Sequence, residues 1–197
     1  MVGTVEGATV SVRALSIPGL FVLETPVHAD ERGLFREWFR VDELAAAGVT
    51  FSVAQANLSR SARNVVRGLH YSLASDGQAK VVTCVQGELD DVVVDIRLGS
   101  PTFGHVEIIE LDEKAGVAVV VPPGVAHGFV VTTETATLAY LLSSRYEPAS
   151  EFEINPFDAD IAVPWRLSGP AVTSAKDAGA PSLAARRDND QLAHFLG

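Results

Sequence analysis

The sequence contains one cysteine, Cys84, so no disulfide can close within the chain. A lone thiol suits a reducing compartment, and a cytoplasmic location is the expectation. Positive charge is scarce as well: 15 Lys and Arg stand against 25 Asp and Glu, a formal net charge of −10. That balance argues against nucleic acid and against an anionic membrane, since both demand a basic footprint. An anionic small molecule can then be captured only by a local cluster of cations working against an unfavourable overall field. Long apolar runs are missing too. The run VAVVV at 117–121 falls far short of the ~18 residues of a membrane-spanning helix, and Pro122 and Pro123 follow at once. The opening MVGTVEGATV has no positive region ahead of its apolar residues, so no targeting segment is expected. There is no nucleophile elbow, phosphate-binding P-loop or dinucleotide fingerprint.

A chain of 197 residues, 47% of them hydrophobic, can bury one substantial core but hardly two. It divides into an N-terminal extension (1–16), a β-rich core (17–166) and a C-terminal loop with a short helix (167–197). The core reads as ten short strand-like runs punctuated by Gly, Pro, Asp and Ser, at 20–25, 34–39, 51–58, 65–71, 81–85, 89–96, 106–111, 117–121, 129–132 and 135–146. This spacing predicts an all-β sandwich or barrel. One short helix interrupts it at 42–47, with Asp42 capping the first turn and Gly48 closing the last.

The stretch NVVRGLHYSLASDGQAK (64–80) brings an arginine, a histidine and a lysine into one apparent hairpin. Arg67 and Lys80 sit in otherwise apolar strand sequence although such residues are seldom buried without a partner, and an anionic ligand explains them economically. Strand alternation puts Gly68 and His70 on one face and Arg67, Leu69 and Tyr71 on the other, unless a bulge at Gly68 re-aims one of them. Taken alone, His70 reads equally as a hydrogen-bonded core histidine. Gln55 and Asn57 share a face that is turned either to solvent or to a cavity. Tyr140 lies between Leu138 and Leu142 on an apolar stripe, as a core residue or as a proton donor facing a cavity. Lys176 and Asp177 read most simply as a solvated charge pair.

As a group, His70, Tyr140 and Asp177 can serve as base, acid and orienter, with Arg67 and Lys80 supplying positive charge. The set suits abstraction of a proton beside a carbonyl. Imidazole titrates at about 6.5, a carboxylate hydrogen-bonded to it fixes the tautomer, and a cation such as Lys80 at the developing enolate oxygen is typically worth ~3 kcal/mol. A tyrosine returning the proton from the other side inverts the carbon. The competing chemistry is a metal site built on His70 and His127, but the close-spaced histidine pair and nearby acid of metal-binding cupins are missing.

Seven segments in order, DERGLFRE (30–37), QANLS (55–59), RGLHY (67–71), QAK (78–80), DVVVDIRLGSPTFG (91–104), PPGVAHGF (122–129) and TSAKD (173–177), resemble those of the dTDP-4-dehydrorhamnose 3,5-epimerase family over nearly the whole chain. The resemblance implies a cupin-type jelly roll (a double-stranded β-helix barrel) with a few short helices. It also implies epimerisation of a dTDP-4-keto-6-deoxyhexose without metal or organic cofactor. His70 would be the base, Tyr140 the proton donor, Asp177 the orienter of His70, and Lys80 the neighbour of the sugar ketone. Arg67 would contact the diphosphate and Tyr146 stack on the thymine, with Gln55, Asn57, His127, Glu151 and Lys176 as further binding residues. Arg32 and Glu37 match positions that reach the substrate of a partner subunit through exchanged N-terminal strands, which implies a homodimer. Two departures stand out: Leu141 where many members carry lysine, and residues 73–76 where many carry consecutive prolines. Relatives from antibiotic pathways invert only one carbon, so 3,5-epimerisation, single-position epimerisation and non-catalytic sugar-nucleotide binding are all carried forward.

Overall fold

A computed structural model describes residues 10–75 and 77–196. Residues 1–9 of the expected extension, and Asp76 in the 73–76 departure, lie outside the described residues. In chain order the strands are β1 (Ser11–Ala14), β2 (Phe21–Glu24), β3 (Val27–Asp30), β4 (Gly33–Arg36), β5 (Gln55–Ala62), β6 (Val66–Ser72), β7 (Lys80–Gln86), β8 (Glu88–Val94) and β9 (Val106–Asp112). They continue with β10 (Val117–Val121), β11 (Ala126–Val131), β12 (Thr135–Leu142) and β13 (Glu151–Glu153). The helices are α1 (Val41–Ala46), α2 (Ala175–Ala178) and α3 (Leu183–Asp188). A six-stranded sheet, β1-β2-β10-β7-β12-β5, packs on a five-stranded sheet, β13-β6-β11-β8-β9, and β3 with β4 forms a separate hairpin. This is the expected jelly roll.

The apolar runs are near-continuous because both sheets are covered on both faces. Between them lie Val82, Cys84, Leu89, Val93, Val119, Val121, Phe129 and Leu138. The outer face of the five-stranded sheet carries Leu69, Tyr71, Val92, Val94 and Ile96, sealed by Ile154, Ile161, Leu183 and Leu192 from the C-terminal segment. α1 and its flanks put Leu44 and Phe51 over Leu23, Val81 and Val120 on the other sheet. β8 is therefore buried from Leu89 to Val94, and its sequence could not alternate.

Several expected boundaries shift. β1 falls inside the presumed extension and pairs with β2. β5 starts at Gln55 rather than at 51, because residues 51–53 pass under α1, where Phe51 meets Phe39. β12 ends at Leu142, and β3, β13 and α2 were not anticipated. Asp42 does not cap α1: the N-cap is Arg40, with no side-chain hydrogen bond, and Asp42 sits in the first turn as its ion-pair partner. Gly48, at φ +80°, does close the helix through its N–H to the Ala45 carbonyl.

Candidate active site

β6 must aim two side chains the same way, and it does so with a bulge. His127 of β11 pairs with His70, and Phe129 with Arg67, so one residue of β11 faces two of β6. Gly68 takes the extra turn at φ +121°; a Cβ there would lie 2.6 Å from the Gly128 Cα and 2.8 Å from the His127 carbonyl oxygen. Only glycine fits. Arg67 and His70 then line one cavity, while Leu69 and Tyr71 turn into the outer apolar cluster.

The cavity, about 590 Å³, lies between the sheets in the size range of small-molecule sites. His70 enters from the five-stranded sheet and Tyr140 from the six-stranded one, so imidazole and phenol face the space from opposing walls. His70 Nε2 lies 2.7 Å from Asp177 Oδ1. Asp177 comes from α2, a turn capped by Ser174 and 107 residues away in sequence. Burial pushes the Asp177 carboxyl up, but the hydrogen bond and charge of His70, with help from Ser174 and the Gly68 backbone, hold it below the usual carboxylate range. An ionised acceptor makes Nε2 the protonated nitrogen and leaves Nδ1 as the basic one. Tyr140 is shifted upward by burial, against the opposing pull of Arg67 and of its hydrogen bond with Asn57. It therefore carries its proton at neutral pH.

Lys80 is buried in the floor, its Nζ 3.5 Å from the His70 carbonyl oxygen. Burial draws its ammonium below the ordinary lysine range, and Glu151 and Asp91 work against that shift. Arg67 donates Nε to Ser61 Oγ at 3.0 Å. His127 Nε2 sits 2.6 Å from Asp91 Oδ1, a fully buried carboxylate. Gln78 donates to Glu151 Oε1 (3.1 Å), and Tyr146, Glu151 and Lys176 complete the rim. The hydroxyls of Ser59 and Thr173 line the cavity without a protein partner. Among the described residues no three His, Cys, Asp or Glu side chains converge as metal ligands do.

Three expected binding residues stand elsewhere. Gln55 does not line the cavity; its Nε2 holds Asn57 Oδ1 at 3.0 Å and its Oε1 accepts the Tyr146 N–H at 3.0 Å, so it orients two residues that do. Arg32 pairs with Asp30 at the tip of the β3–β4 hairpin, and Glu37 with Arg40; neither reaches this chain's own cavity. Lys176 and Asp177 are not a solvated pair, because Asp177 is buried on His70 and Lys176 binds Glu153 at 3.0 Å. Sequence reasoning missed Glu153 and Asp91. Strand alternation from Glu151 carried a signal for the first.

The family model described as dTDP-4-dehydrorhamnose 3,5-epimerase matches residues 14–185. A dTDP-4-dehydrorhamnose 3-epimerase from Streptomyces niveus is 44% identical over 90% of this chain and 86% of its own length. The crystal structure of NovW, a 4-keto-6-deoxy sugar epimerase from the novobiocin gene cluster of Streptomyces spheroides, superimposes with a TM-score of 0.92 at 41% identity, covering 99% of this chain and 98% of that one. A dTDP-6-deoxy-D-glucose-3,5-epimerase from Legionella pneumophila, in complex with dTDP-4-keto-L-rhamnose, gives 0.90 at 37% identity over 96% of this chain and 100% of that one. The match spans both sheets and every segment that carries the cavity. The chain belongs to the dTDP-4-dehydrorhamnose 3,5-epimerase family, a family of isomerases.

Proposed function

We propose that this chain epimerises a dTDP-4-keto-6-deoxyhexose in deoxysugar biosynthesis, inverting both carbons beside the ketone without metal or organic cofactor. The observation that carries this reading is the placement of an imidazole and a phenol on opposing walls of one cavity. His70 Nδ1 takes the proton from the carbon, and Asp177 stabilises the imidazolium that results. The negative charge passes to the ketone oxygen beside the Lys80 ammonium. Tyr140 then delivers its hydroxyl proton to the opposite face of the same carbon. Two groups on two faces make an epimerase, whereas one group on one face only exchanges the proton.

Arg67 and Lys176 hold the diphosphate and Tyr146 stacks on the base. The working unit is a homodimer: the β3–β4 hairpin leaves Leu34 and Phe35 46% and 65% exposed and carries Arg32 away from its own cavity, as an arm that inserts into a partner does. The enzyme acts in the cytoplasm.

Incubation with dTDP-4-keto-6-deoxyglucose in deuterated water, read by NMR, tests the reading. Label at both ring carbons flanking the ketone is expected. Label at one carbon would establish the second reading, single-position epimerisation, which the S. niveus relative favours by its name. Binding without any label would leave only a sugar-nucleotide-binding protein, and loss of activity in a strong chelator would bring a metal into the scheme.

A further inference from the structure

Glu153 lies on β13 directly across the ladder from His70 and lines the same cavity, yet the reaction above gives it no part. Its two oxygens hold two unlike cations. Oε1 faces Arg186 Nη2 at 3.5 Å, and Oε2 faces Lys176 Nζ at 3.0 Å. Arg186 is a fixed partner: it is buried, donates Nε to the Glu153 carbonyl (2.9 Å) and Nη1 to Gln191 (2.7 Å), and stacks over Phe152. Lys176 is an exposed one, with its side chain 61% open to solvent at the rim. The carboxylate itself is 16% exposed and cannot follow it.

From this asymmetry we infer that Glu153 tunes the affinity for the ligand, as a fixed internal anion that holds the Lys176 ammonium and competes with the ligand's diphosphate for it. The inference rests on the dTDP-sugar reading above. A diphosphate that draws Lys176 away leaves Glu153 paired with Arg186, so the exchange strands no bare carboxylate. The contact thus subtracts from the affinity for the nucleotide handle, which substrate and product share. Interactions equal in substrate, transition state and product do not speed the chemical step, and weakening them eases product release.

The test is calorimetric titration of the full chain with dTDP and with thymidine, for wild type, Glu153→Gln, Lys176→Met and the double variant. Glu153→Gln keeps the side-chain shape and an acceptor for Arg186. It is expected to bind dTDP about two- to fivefold tighter, the scale of a solvent-exposed ion pair, with thymidine unchanged. Lys176→Met should weaken dTDP binding, and in that background Glu153→Gln should have no further effect. Weaker dTDP binding by Glu153→Gln, or the same gain with and without Lys176, would overturn the inference. Wild-type protein that binds neither dTDP nor thymidine would instead overturn the dTDP-sugar reading itself.

Discussion

Asp95 and Asp177 are both buried carboxylates, and the contrast between them separates scaffold from site. Asp95 is saturated: it accepts from Arg97 Nε and Nη2 (2.9 Å each), Ser100 Oγ (2.6 Å) and Thr102 Oγ1 (2.7 Å), all within one local stretch of chain. Asp177 instead spends its oxygen on a histidine that is 42% exposed and faces a cavity. Around Asp95 every donor has found its acceptor. Around Asp177 the hydroxyls of Ser59 and Thr173 and the ammonium of Lys80 have little or no protein partner, which costs stability and leaves capacity for a ligand. A closed network makes rigidity, and an incomplete one makes a site.

Replacing His70 by Ala should break the working side of this comparison most severely. Turnover is expected to fall by about 10⁴-fold, at the upper end for a general base, while dTDP affinity by calorimetry changes little. Asp95→Ala should do the reverse. Removing one partner of a buried pair typically costs about 3–5 kcal/mol, to be read as a lower urea midpoint, with the KM of whatever protein remains folded unaltered. Tyr140→Phe should slow inversion about 10²-fold yet leave deuterium exchange at the carbon much less affected; equal loss of both would undo the two-faced scheme.

The smallest effect is one of pH. Burial pushes the Asp95 carboxyl up, but its hydrogen bonds from Arg97, Ser100 and Thr102 carry it down to about 2, below its unfolded value. A lowered carboxylate contributes stability that is complete above the unfolded pKa and is lost as pH falls through the folded one. Stability should therefore decline between about pH 4 and pH 2, with Asp177 acting in the same direction. In Asp95→Asn that acid limb should flatten, as urea titrations at about pH 7, 4 and 2.5 would reveal.

Much of this was legible in the sequence for local reasons. Short β-rich runs and the Gly, Pro, Asp and Ser between them located most strands of both sheets, and Gly68 announced the bulge that lets Arg67 and His70 share a cavity. What was not legible depends on distance along the chain. Nothing in the spacing joins Asp177 to His70; residue type made Lys176 and Asp177 read first as a surface pair, and left Asp177 no more than a possible orienter until the family resemblance matched it to that role. β13 is three residues long and pairs at a sheet edge, so the alternation that puts Glu153 on the face of Glu151 spans a single repeat and did not mark a strand in the sequence. Asp42 failed as a cap because the chain turns two residues earlier, at Arg40, whose guanidinium claims the carboxylate.

The bulge in β6 also limits how this protein can be redesigned. Gly68 and Gly128 press backbone against backbone; a methyl group on the second would come within 2.7 Å of the Arg67 carbonyl oxygen, as one on the first would strike Gly128. Any library that varies either position would wedge the two strands apart and carry both histidines with them. Efforts to change which sugar is accepted should leave that seam alone and diversify Leu142, whose side chain walls the cavity outside the apolar cluster between the sheets.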